Sequence, residues 1–438
     1  WLKQSEALCS ADPQHRRYAV WPGFKAIASL AVAMVAGDSI PMDDAELDLW
    51  LQEQLRPVLR TEQDVQDAED CRRELEKVVR GTLKDGERWR LVLFGSSVNG
   101  FGTRSSDLDM TALADVPADQ GPGPQAEEVL VSLAASIGEH AEGAEEGAEP
   151  FRVKASILTA RPPILKILRG PLEVDLSVGN WRPLWNSRLL RAYASIDARV
   201  SSLGLAVKLW AREHHLCGAH AGHLSSYALA QLAIHFLQRG VHPPLPNLHV
   251  AFQRDPAAFE SDELALEVAK AHGAWPARAT LAALYRGFFR FYSEEFDFGR
   301  EVVSVRLGRC ARLCDVPVLE SASTKPRPRL HVEDPFELAR DLGHVLWDGG
   351  ASLMSEMRKE HQQLAVPWPA ARNLYPVAPL GPRLVGPDEA SVPKTPLRAP
   401  PRAEQAFGAY GGLPPSTPSH RTEQERLMGL WSASLGRG

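Results

Sequence analysis

The chain has 438 residues, enough for two or three domains, and its 44% hydrophobic and 24% charged content is that of an ordinary soluble protein. The formal net charge of -6 excludes nucleic-acid binding through bulk positive charge, so any such contact depends on local basic patches. The five cysteines include no C-x-x-C pair, which argues against a disulfide framework and favours a reducing compartment.

The first 42 residues form a segment to which the sequence assigns no role. Because the sequence begins with Trp1 and not methionine, it can be a fragment, and an N-terminal targeting peptide would then be invisible. The small-apolar run 26–36 is too short to span a bilayer. It is either the core of a targeting segment or a buried helix, and its position inside the chain favours the helix.

The pattern of residues 43–182 alternates between helices and strands and indicates the first folded domain. Apolar residues at three- and four-residue spacing predict the helices, and short apolar runs bounded by glycine or proline predict the strands. In order, the predicted elements are helices 43–59 and 64–83, strand 89–94, helix 125–137, a solvated loop over 138–149, and strands 153–157 and 172–178. We therefore expect a mixed sheet with flanking helices.

A glycine-rich turn followed by two aspartates lies between the first two strands. Asp107 and Asp109 are spaced so that both carboxylates lie on one face of an extended chain. Two such groups stay ionised together only with a cation between them, and Mg²⁺ prefers oxygen ligands. Gly95 and Ser96 supply a backbone N–H and a hydroxyl that suit a phosphate. The stretch predicts a metal–triphosphate site, and the alternative is a polar loop with two solvated aspartates.

The second half of the chain has a different, helical character. Helical apolar patterns cover 189–216, 226–237 and 280–296, with a proline-rich break at 243–248. We assign 183–355 to a helical domain. Residues 356–438 become rich in Pro, Gly and Ser beyond Val366, show no periodicity and predict a disordered tail.

The Gly95-Ser96 turn followed by Asp107-x-Asp109 resembles the DNA polymerase β-like nucleotidyltransferase superfamily. That pattern implies a third carboxylate on a later strand, and Asp175 provides it. The motifs at 207–212, 224–229, 245–248, 288–298 and 333–337 then occur in the order found in non-canonical poly(A) polymerases and terminal uridylyltransferases. Over about residues 43–346 the chain resembles this family. The resemblance implies an α+β fold, with a polymerase β-like palm domain and a mainly helical central and PAP-associated domain.

The resemblance also implies a set of site residues. Asp107, Asp109 and Asp175 are similar to the ligands of two Mg²⁺ or Mn²⁺ ions, with Asp175 taking the proton from an RNA 3′-hydroxyl. The nucleotide contacts implied are phosphate contacts from Gly95, Ser96, Lys208, Arg212 and Ser226, a ribose contact from Asn186, stacking of the base on Tyr227, and base-edge contacts from Asp334, Glu337 and Arg340.

Base choice depends on the segment that contains Asp334, Glu337 and Arg340, which we predict as a short helix starting at Pro335. A carboxylate beside an obligate donor complements uracil, because arginine cannot accept a hydrogen bond from the adenine amine. The family's usual asparagine after this position is Asp341 here. The pattern therefore favours UTP over ATP.

We expect a template-independent RNA 3′-terminal nucleotidyltransferase that adds UMP or AMP from an NTP by two-metal-ion catalysis and releases pyrophosphate, favoured as a terminal uridylyltransferase. The alternative is an ATP-specific non-canonical poly(A) polymerase. More remote alternatives are a small-molecule nucleotidyltransferase and an inactive RNA-binding scaffold. We expect a monomer that binds RNA 3′ ends and no membrane, and that contacts recruiting proteins through its tail. The cytoplasm is the expected compartment, with a mitochondrion, another organelle or the nucleus as alternatives.

Overall fold

The computed structural model describes residues 43–114, 125–142, 149–160, 162–254, 261–316 and 329–364. The apolar run 26–36, and the predicted tail beyond residue 364, lie outside these residues. No helix within the described ranges is both long and apolar enough to cross a membrane.

A five-stranded mixed sheet forms the first half of the structure, which confirms the predicted α+β class. Its strands are β1 (Trp89–Phe94), β2 (Leu108–Ala114), β3 (Arg152–Ile157), β4 (Ile164–Arg169) and β5 (Leu172–Val178). They lie in the order β1-β2-β5-β4-β3, and only the β2–β5 pair is parallel. This order brings the strand after the glycine turn beside the strand that carries the third predicted aspartate.

Two helices, α2 (Glu62–Thr82) and α3 (Ala126–Glu142), cover one face of the sheet. Cys71, Leu75 and Val79, one helical turn apart, pack with sheet residues such as Met110. Because side chains alternate along a strand, Asp109 points to the opposite face. Helix α3 runs five residues further than the pattern predicted, so the first part of the predicted loop 138–149 is helical.

The second half is helical, as expected. Its helices are α4 (Arg182–Ile196), α5 (Ala198–Glu213), α6 (Ser226–Arg239), α7 (Leu248–Arg254), α8 (Asp262–Ala271) and α9 (Leu281–Arg290). The predicted helical stretch 189–216 is two helices, since Asp197 is extended and caps α5 by accepting a hydrogen bond from the Arg199 N–H. The aromatic stripe of α9 continues through a π-turn, Phe291–Glu295, and is fully buried, which explains its spacing as core packing.

The first of the described helices, α1 (Asp44–Leu55), packs against this helical half and not on the sheet. Its residues Leu47, Leu51 and Leu55 are buried in the helical core. Asp48 Oδ1 accepts from the Ala282 N–H at 2.8 Å, and Arg286 donates to Asp44 at 2.9 Å. The described part of the chain therefore begins on the helical half and then crosses to the sheet.

The last of the described helices, α10 (Ala351–Gln363), also packs on the helical core. Leu353, Met354 and Met357 are buried in it. The prediction of a disordered tail from residue 356 was therefore wrong for its first eight residues. The apolar face of this helix has only three buried residues, and charged residues surround them. The sequence therefore shows too weak an apolar periodicity to predict the helix.

Candidate active site

The three predicted carboxylates come together on two neighbouring inner strands of the sheet, β2 and β5. In the parallel β2–β5 pair, Asp109 lies directly opposite Asp175. Asp107 immediately precedes β2, two residues from Asp109 on the same face. Residues that are far apart in sequence, as Asp109 and Asp175 are, thus become neighbours through strand pairing alone.

The electrostatics of this cluster indicate an excess of negative charge. Desolvation raises the pKa of Asp109 to about 7, and the carboxylates of Asp175 and Asp107 add to the rise. Desolvation also raises the pKa of Asp107, with Glu173 and Asp175 contributing. Carboxylates that oppose each other's ionisation in this way form the oxygen-rich, anionic donor set that a hard divalent cation binds.

Lys166 of β4 provides the nearest positive charge. Its Nζ donates to both oxygens of Asp175, at 2.7 and 2.8 Å, and lies 3.9 Å from Glu173. Lys166 pairs directly with Asp175 in the antiparallel β4–β5 register, which explains the contact. The sequence analysis missed it, because two strands can be recognised without knowing how they are aligned.

No group of three or more His, Cys, Asp or Glu side chains within the described ranges is arranged to hold a metal ion as it stands. The interaction with Lys166 shows one reason, since both oxygens of Asp175 are engaged by its ammonium group. The donor set of Asp107, Asp109 and Asp175 still fits a divalent cation, which would compete with Lys166 for Asp175.

The glycine turn lies directly against Asp109. Gly95 has a φ of 71°, and a Cβ at this position would lie 2.2 Å from Asp109 Oδ2. Gly102 allows the end of the loop to return onto the turn, because its Cβ would lie 1.9 Å from the Ser96 carbonyl oxygen. Both glycines are therefore needed for the turn to sit beside the carboxylates.

Hydrogen bonds hold the glycine turn from both sides, and one of them occupies the Gly95 N–H that was expected to bind a phosphate. The Gly95 N–H donates to Ser187 Oγ at 2.7 Å and is not the free phosphate donor that the sequence suggested. Ser187 Oγ in turn donates to the Pro183 carbonyl at 2.7 Å. On the other side, Arg60 donates to the Ser97 carbonyl at 2.9 Å. Gly95 thus contributes space and anchorage, and the phosphate contact expected of Ser96 stays a prediction.

Lys208 and Arg212, predicted as phosphate contacts, lie one turn apart on α5 in different environments. Lys208 is only 3% exposed, and its Nζ lies 3.4 Å from the Phe101 carbonyl oxygen. Burial lowers the pKa of Lys208 to about 8, and the Arg212 guanidinium adds to this, while Asp109 opposes it. Arg212 is exposed. The buried ammonium therefore lies near the carboxylate cluster, and the guanidinium lies at the surface above it.

The start of α6 carries Ser226 and Tyr227. Ser225 caps the helix by accepting from the Ala228 N–H at 3.2 Å, so Ser226 is the first helical residue. Ser226 Oγ lies 3.7 Å from Cys217 Sγ. Cys217 in turn raises the pKa of Lys208, in opposition to burial. A helix N-terminus beside a lysine favours an anion, since its N–H groups carry partial positive charge.

The base-edge segment is not a helix, so the predicted helix from Pro335 was wrong. After β7 (His331–Val332), which pairs with β6 (Val302–Val303), the chain forms a closed loop. Glu333 and Asp341 form an antiparallel bridge, and the Asp334 N–H donates to the Arg340 carbonyl at 3.1 Å. Because these hydrogen bonds join the two ends of the loop, its backbone does not follow a helix. The pairing of the ends thus outweighs the local preference of Pro335 for a helix start.

The side chains of this loop have distinct partners. Asp334 is fully buried, and its Oδ1 accepts from the N–H groups of Phe336 and Glu337 at 3.0 and 3.1 Å. Glu337 Oε1 accepts from Arg182 at 2.7 Å. Arg340 is 58% exposed and lies 3.8 Å from Asp334 and 3.7 Å from Glu337. Of the predicted base-edge residues, Arg340 is the most exposed, and its guanidinium lies at ion-pair distance from the other two.

Asp341 has a structural role. It is buried, pairs with His331 Nδ1 at 2.8 Å, and accepts from the N–H groups of Val332 and Gly343. All of these bonds lie within the loop and its flanking strand. The carboxylate at this position therefore holds the loop closed.

The loop docks on α4, which carries Asn186. Phe336 packs 5.8 Å from the Trp185 ring, and the Arg182–Glu337 ion pair joins the same two elements. Asn186 Oδ1 is buried and has no hydrogen-bond partner among the described residues. An unpaired buried acceptor beside the loop is consistent with the predicted contact to a ribose hydroxyl.

Comparisons with known proteins match both halves of this arrangement. Residues 47–195 match the family described as the central palm domain of mitochondrial-like poly(A) RNA polymerase, and residues 280–340 match the Cid1 family of poly(A) polymerases. The chain is 33% identical to terminal uridylyltransferase 4 of Mus musculus over 59% of its length, and 34% identical to poly(A) RNA polymerase GLD2 of Xenopus tropicalis over 62%. It spans only 15% and 49% of these two relatives.

Solved structures show the same architecture. A structure of the Cid1 poly(U) polymerase with bound MgGTP superposes with a TM-score of 0.60 at 21% identity, covering 76% of this chain and 99% of that one. A cytoplasmic RNA terminal U-transferase superposes with a TM-score of 0.56 at 22% identity, covering 77% of this chain and all of the other.

The fold is thus that of a polymerase β-like nucleotidyltransferase with a helical second domain. Within that class, residues 47–195 and 280–340 match the two domain families, and the chain is similar to terminal uridylyltransferases and GLD2 poly(A) polymerases, as its motifs indicated.

Proposed function

We propose that this chain catalyses the template-independent addition of nucleotides from an NTP to the 3′-hydroxyl of RNA, with UTP as the preferred substrate. The observation that carries the proposal is the pairing of Asp109 with Asp175 beside the Gly95 turn, with the buried Lys208 ammonium next to the cluster. Relatives named as terminal uridylyltransferases and as poly(A) polymerases support the class of reaction.

In the proposed mechanism, Asp107, Asp109 and Asp175 hold divalent cations, Mg²⁺ or Mn²⁺. Such ions, when bound, neutralise the triphosphate and make the 3′-hydroxyl a better nucleophile. A carboxylate oxygen of Asp175 accepts the proton of that hydroxyl as its oxygen attacks the α-phosphate, and pyrophosphate leaves. Lys208, Arg212, Ser96 and the α6 N-terminus with Ser226 neutralise and orient the phosphates.

Metal binding can be tested without any reaction. We expect Mn²⁺ or Mg²⁺ to raise the melting temperature of the purified chain, because the ion binds the folded carboxylate cluster and not the unfolded chain. At about 100 times the dissociation constant, the gain is about 2.7 kcal/mol. The gain should be lost in Asp109→Asn, whereas Asp70→Asn, which changes an exposed carboxylate on α2, should keep it. An equal shift in both variants would place the metal elsewhere.

At the nucleotide, Asn186 contacts the ribose, Tyr227 stacks on the base, and the loop with Asp334, Glu337 and Arg340 selects it. Glu337 keeps only Oε2 for this purpose, since Arg182 occupies Oε1. The exposed Arg340 then donates to the uracil O4, a role that the adenine amine cannot complement. Cellular RNA 3′ ends are the proposed partners. The cytoplasm, the monomeric state and recruitment through the tail stay predictions.

The base preference makes a specific prediction for Arg340→Ala. The ratio of UTP to ATP incorporation should fall about tenfold or more, since one such hydrogen-bonding group discriminates by about 1–3 kcal/mol. Total nucleotide addition should be largely kept. Single-NTP extension of a short labelled RNA measures both quantities.

Arg309→Ala is the matched control, because Arg309 is equally exposed, at 57%, and its guanidinium contacts the Cys310 carbonyl and Asp315, which are near it in sequence. It should leave the UTP to ATP ratio unchanged. If Arg340→Ala also leaves the ratio unchanged, or if the unmodified chain prefers ATP, the assignment of this loop is wrong and the chain is a poly(A) polymerase.

The proposed activity itself is tested by incubating the purified chain with a labelled RNA, one NTP at a time and Mg²⁺ or Mn²⁺. Growth of the RNA with UTP, and less with ATP, is the expected result. A lack of growth with every NTP would contradict the proposal.

A further inference from the structure

Tyr227, which is proposed to stack on the base, is one of three side chains here with buried polar atoms that make no hydrogen bond. The Tyr227 hydroxyl, both amide atoms of Gln231 and Asp334 Oδ2 have no hydrogen-bond partner among the described residues. Gln231 and Asp334 are completely buried. Buried polar groups are nearly always paired, so this concentration of unpaired atoms needs a physical explanation.

The positions of the three side chains suggest how these atoms are related. Tyr227 and Gln231 are four residues apart on α6 and therefore neighbours on one face of the helix. Gln231 lies between Ala230 and Leu232 in the helical core, where an apolar residue would pack without any polar atom to satisfy. A glutamine in this place costs stability unless its amide has a specific partner.

Asp334 approaches the same hydroxyl from the base-edge loop. Burial raises the pKa of Tyr227 well above its usual range, and the Asp334 carboxylate adds to the rise, whereas Gln231 opposes it. Both groups thus act on the phenol, which stays protonated. Asp334 Oδ1 already accepts two backbone N–H groups, so Oδ2, which lies 3.8 Å from the Arg340 guanidinium, is the oxygen without a hydrogen bond.

We propose that Gln231 is a positioning residue for nucleotide recognition. Its Nε2 donates a hydrogen bond to the Tyr227 hydroxyl, which in turn donates to Asp334 Oδ2. A phenol has one donor and can accept, so it matches one amide N–H and one carboxylate oxygen. Neither bond is formed in the structure, since the atoms that would make them have no hydrogen-bond partner among the described residues. These two hydrogen bonds would fix the position of the Tyr227 ring relative to the base-edge loop.

This inference rests on the proposed function only through the role of Tyr227 as the stacking platform. If Gln231 holds the ring, its loss affects how well the nucleotide binds and not the chemical step. A residue that merely fills the core would change stability and leave nucleotide binding unchanged.

The test compares Gln231→Met, which keeps the length and removes the amide, with Tyr227→Phe and with the double variant. We expect the KM for UTP to rise roughly tenfold in Gln231→Met, with kcat within about twofold of the unmodified chain. The double variant should be no worse than the more severe single variant, because both changes break the same chain of hydrogen bonds.

Gln238→Met is the matched control. Gln238 is buried on the same helix, but its amide donates to the Tyr193 hydroxyl at 2.9 Å and to the Val305 carbonyl, neither of which belongs to the base-edge loop. This variant should lose thermal stability and keep the KM. An unchanged KM in Gln231→Met, or effects of Gln231→Met and Tyr227→Phe that multiply in the double variant, would overturn the inference.

A second readout separates this inference from the proposed function. If the unmodified chain extends no RNA, the proposed function fails, and the same variants are then compared by thermal unfolding. A coupling between Gln231→Met and Tyr227→Phe in melting temperature supports the hydrogen-bonded chain, and independent effects overturn it.

Discussion

Asp107→Ala and Asp109→Ala are each expected to abolish nucleotide addition, with a loss of about a thousand-fold or more. Each change removes a carboxylate from the cluster proposed to hold the catalytic cations, whose contribution is several kcal/mol of transition-state stabilisation. The measurement is the rate of extension of a labelled RNA under single-turnover conditions. Asp70 is an exposed aspartate whose carboxylate accepts from Gln66 and Arg73 on the same helix, so Asp70→Ala should retain the full rate.

The same variants should stay folded. Without metal, Asp109 is desolvated and faces two other carboxylates, so its removal relieves repulsion and breaks no hydrogen bond that the structure shows. Circular dichroism and melting temperature should therefore match or exceed those of the unmodified chain. Comparable extension by either variant, with its fold confirmed, would rule out these aspartates as catalytic groups.

Gly95→Ala is expected to have the second largest effect, a loss of about a hundred-fold in extension. The added Cβ would lie 2.2 Å from Asp109 Oδ2 at a backbone φ of 71°, so the turn or the carboxylate must move. A shift of about 1 Å in a group that positions substrate costs on the order of a hundred-fold in rate. The KM for UTP should rise as well, since Ser96 moves with the turn.

The control for this change is Gly138→Ala, in helix α3, where a Cβ would meet no atom within 4 Å. Alanine is favoured over glycine in a helix by about 0.5–1 kcal/mol, so this variant should be slightly more stable and fully active. If Gly95→Ala is also fully active, the close packing of the turn against Asp109 does not matter for function.

Much of the fold could be predicted from the sequence because its signals are local. The apolar spacing over 43–59 and 64–83 predicted two helices, and the structure has both, which begin at capping boxes formed by Asp43 and Thr61. The glycine turn and the spacing of Asp107 and Asp109 indicated the site for the same reason. The family resemblance then supplied Asp175, whose strand pattern alone does not single it out.

The rest depended on contacts between distant residues. The pairing of Lys166 with Asp175 follows from strand register, and the capture of the Gly95 N–H by Ser187 joins residues 92 positions apart. The loop that begins at Pro335 has a helix-start signal, but the Glu333–Asp341 bridge overrules it. Gln231 looks like an ordinary helical residue until its burial and unpaired amide are known.

The central claim is most directly tested by the tail that the chain adds to RNA. Purified protein is incubated with an RNA bearing a free 3′-hydroxyl, Mg²⁺ and an equimolar mixture of the four NTPs, and the extended products are sequenced. The account predicts untemplated 3′ tails composed mainly of uridine, and none on the same RNA with a 3′-deoxy end. Tails composed mainly of adenosine would contradict the base assignment, and a complete lack of extension would contradict the proposed activity.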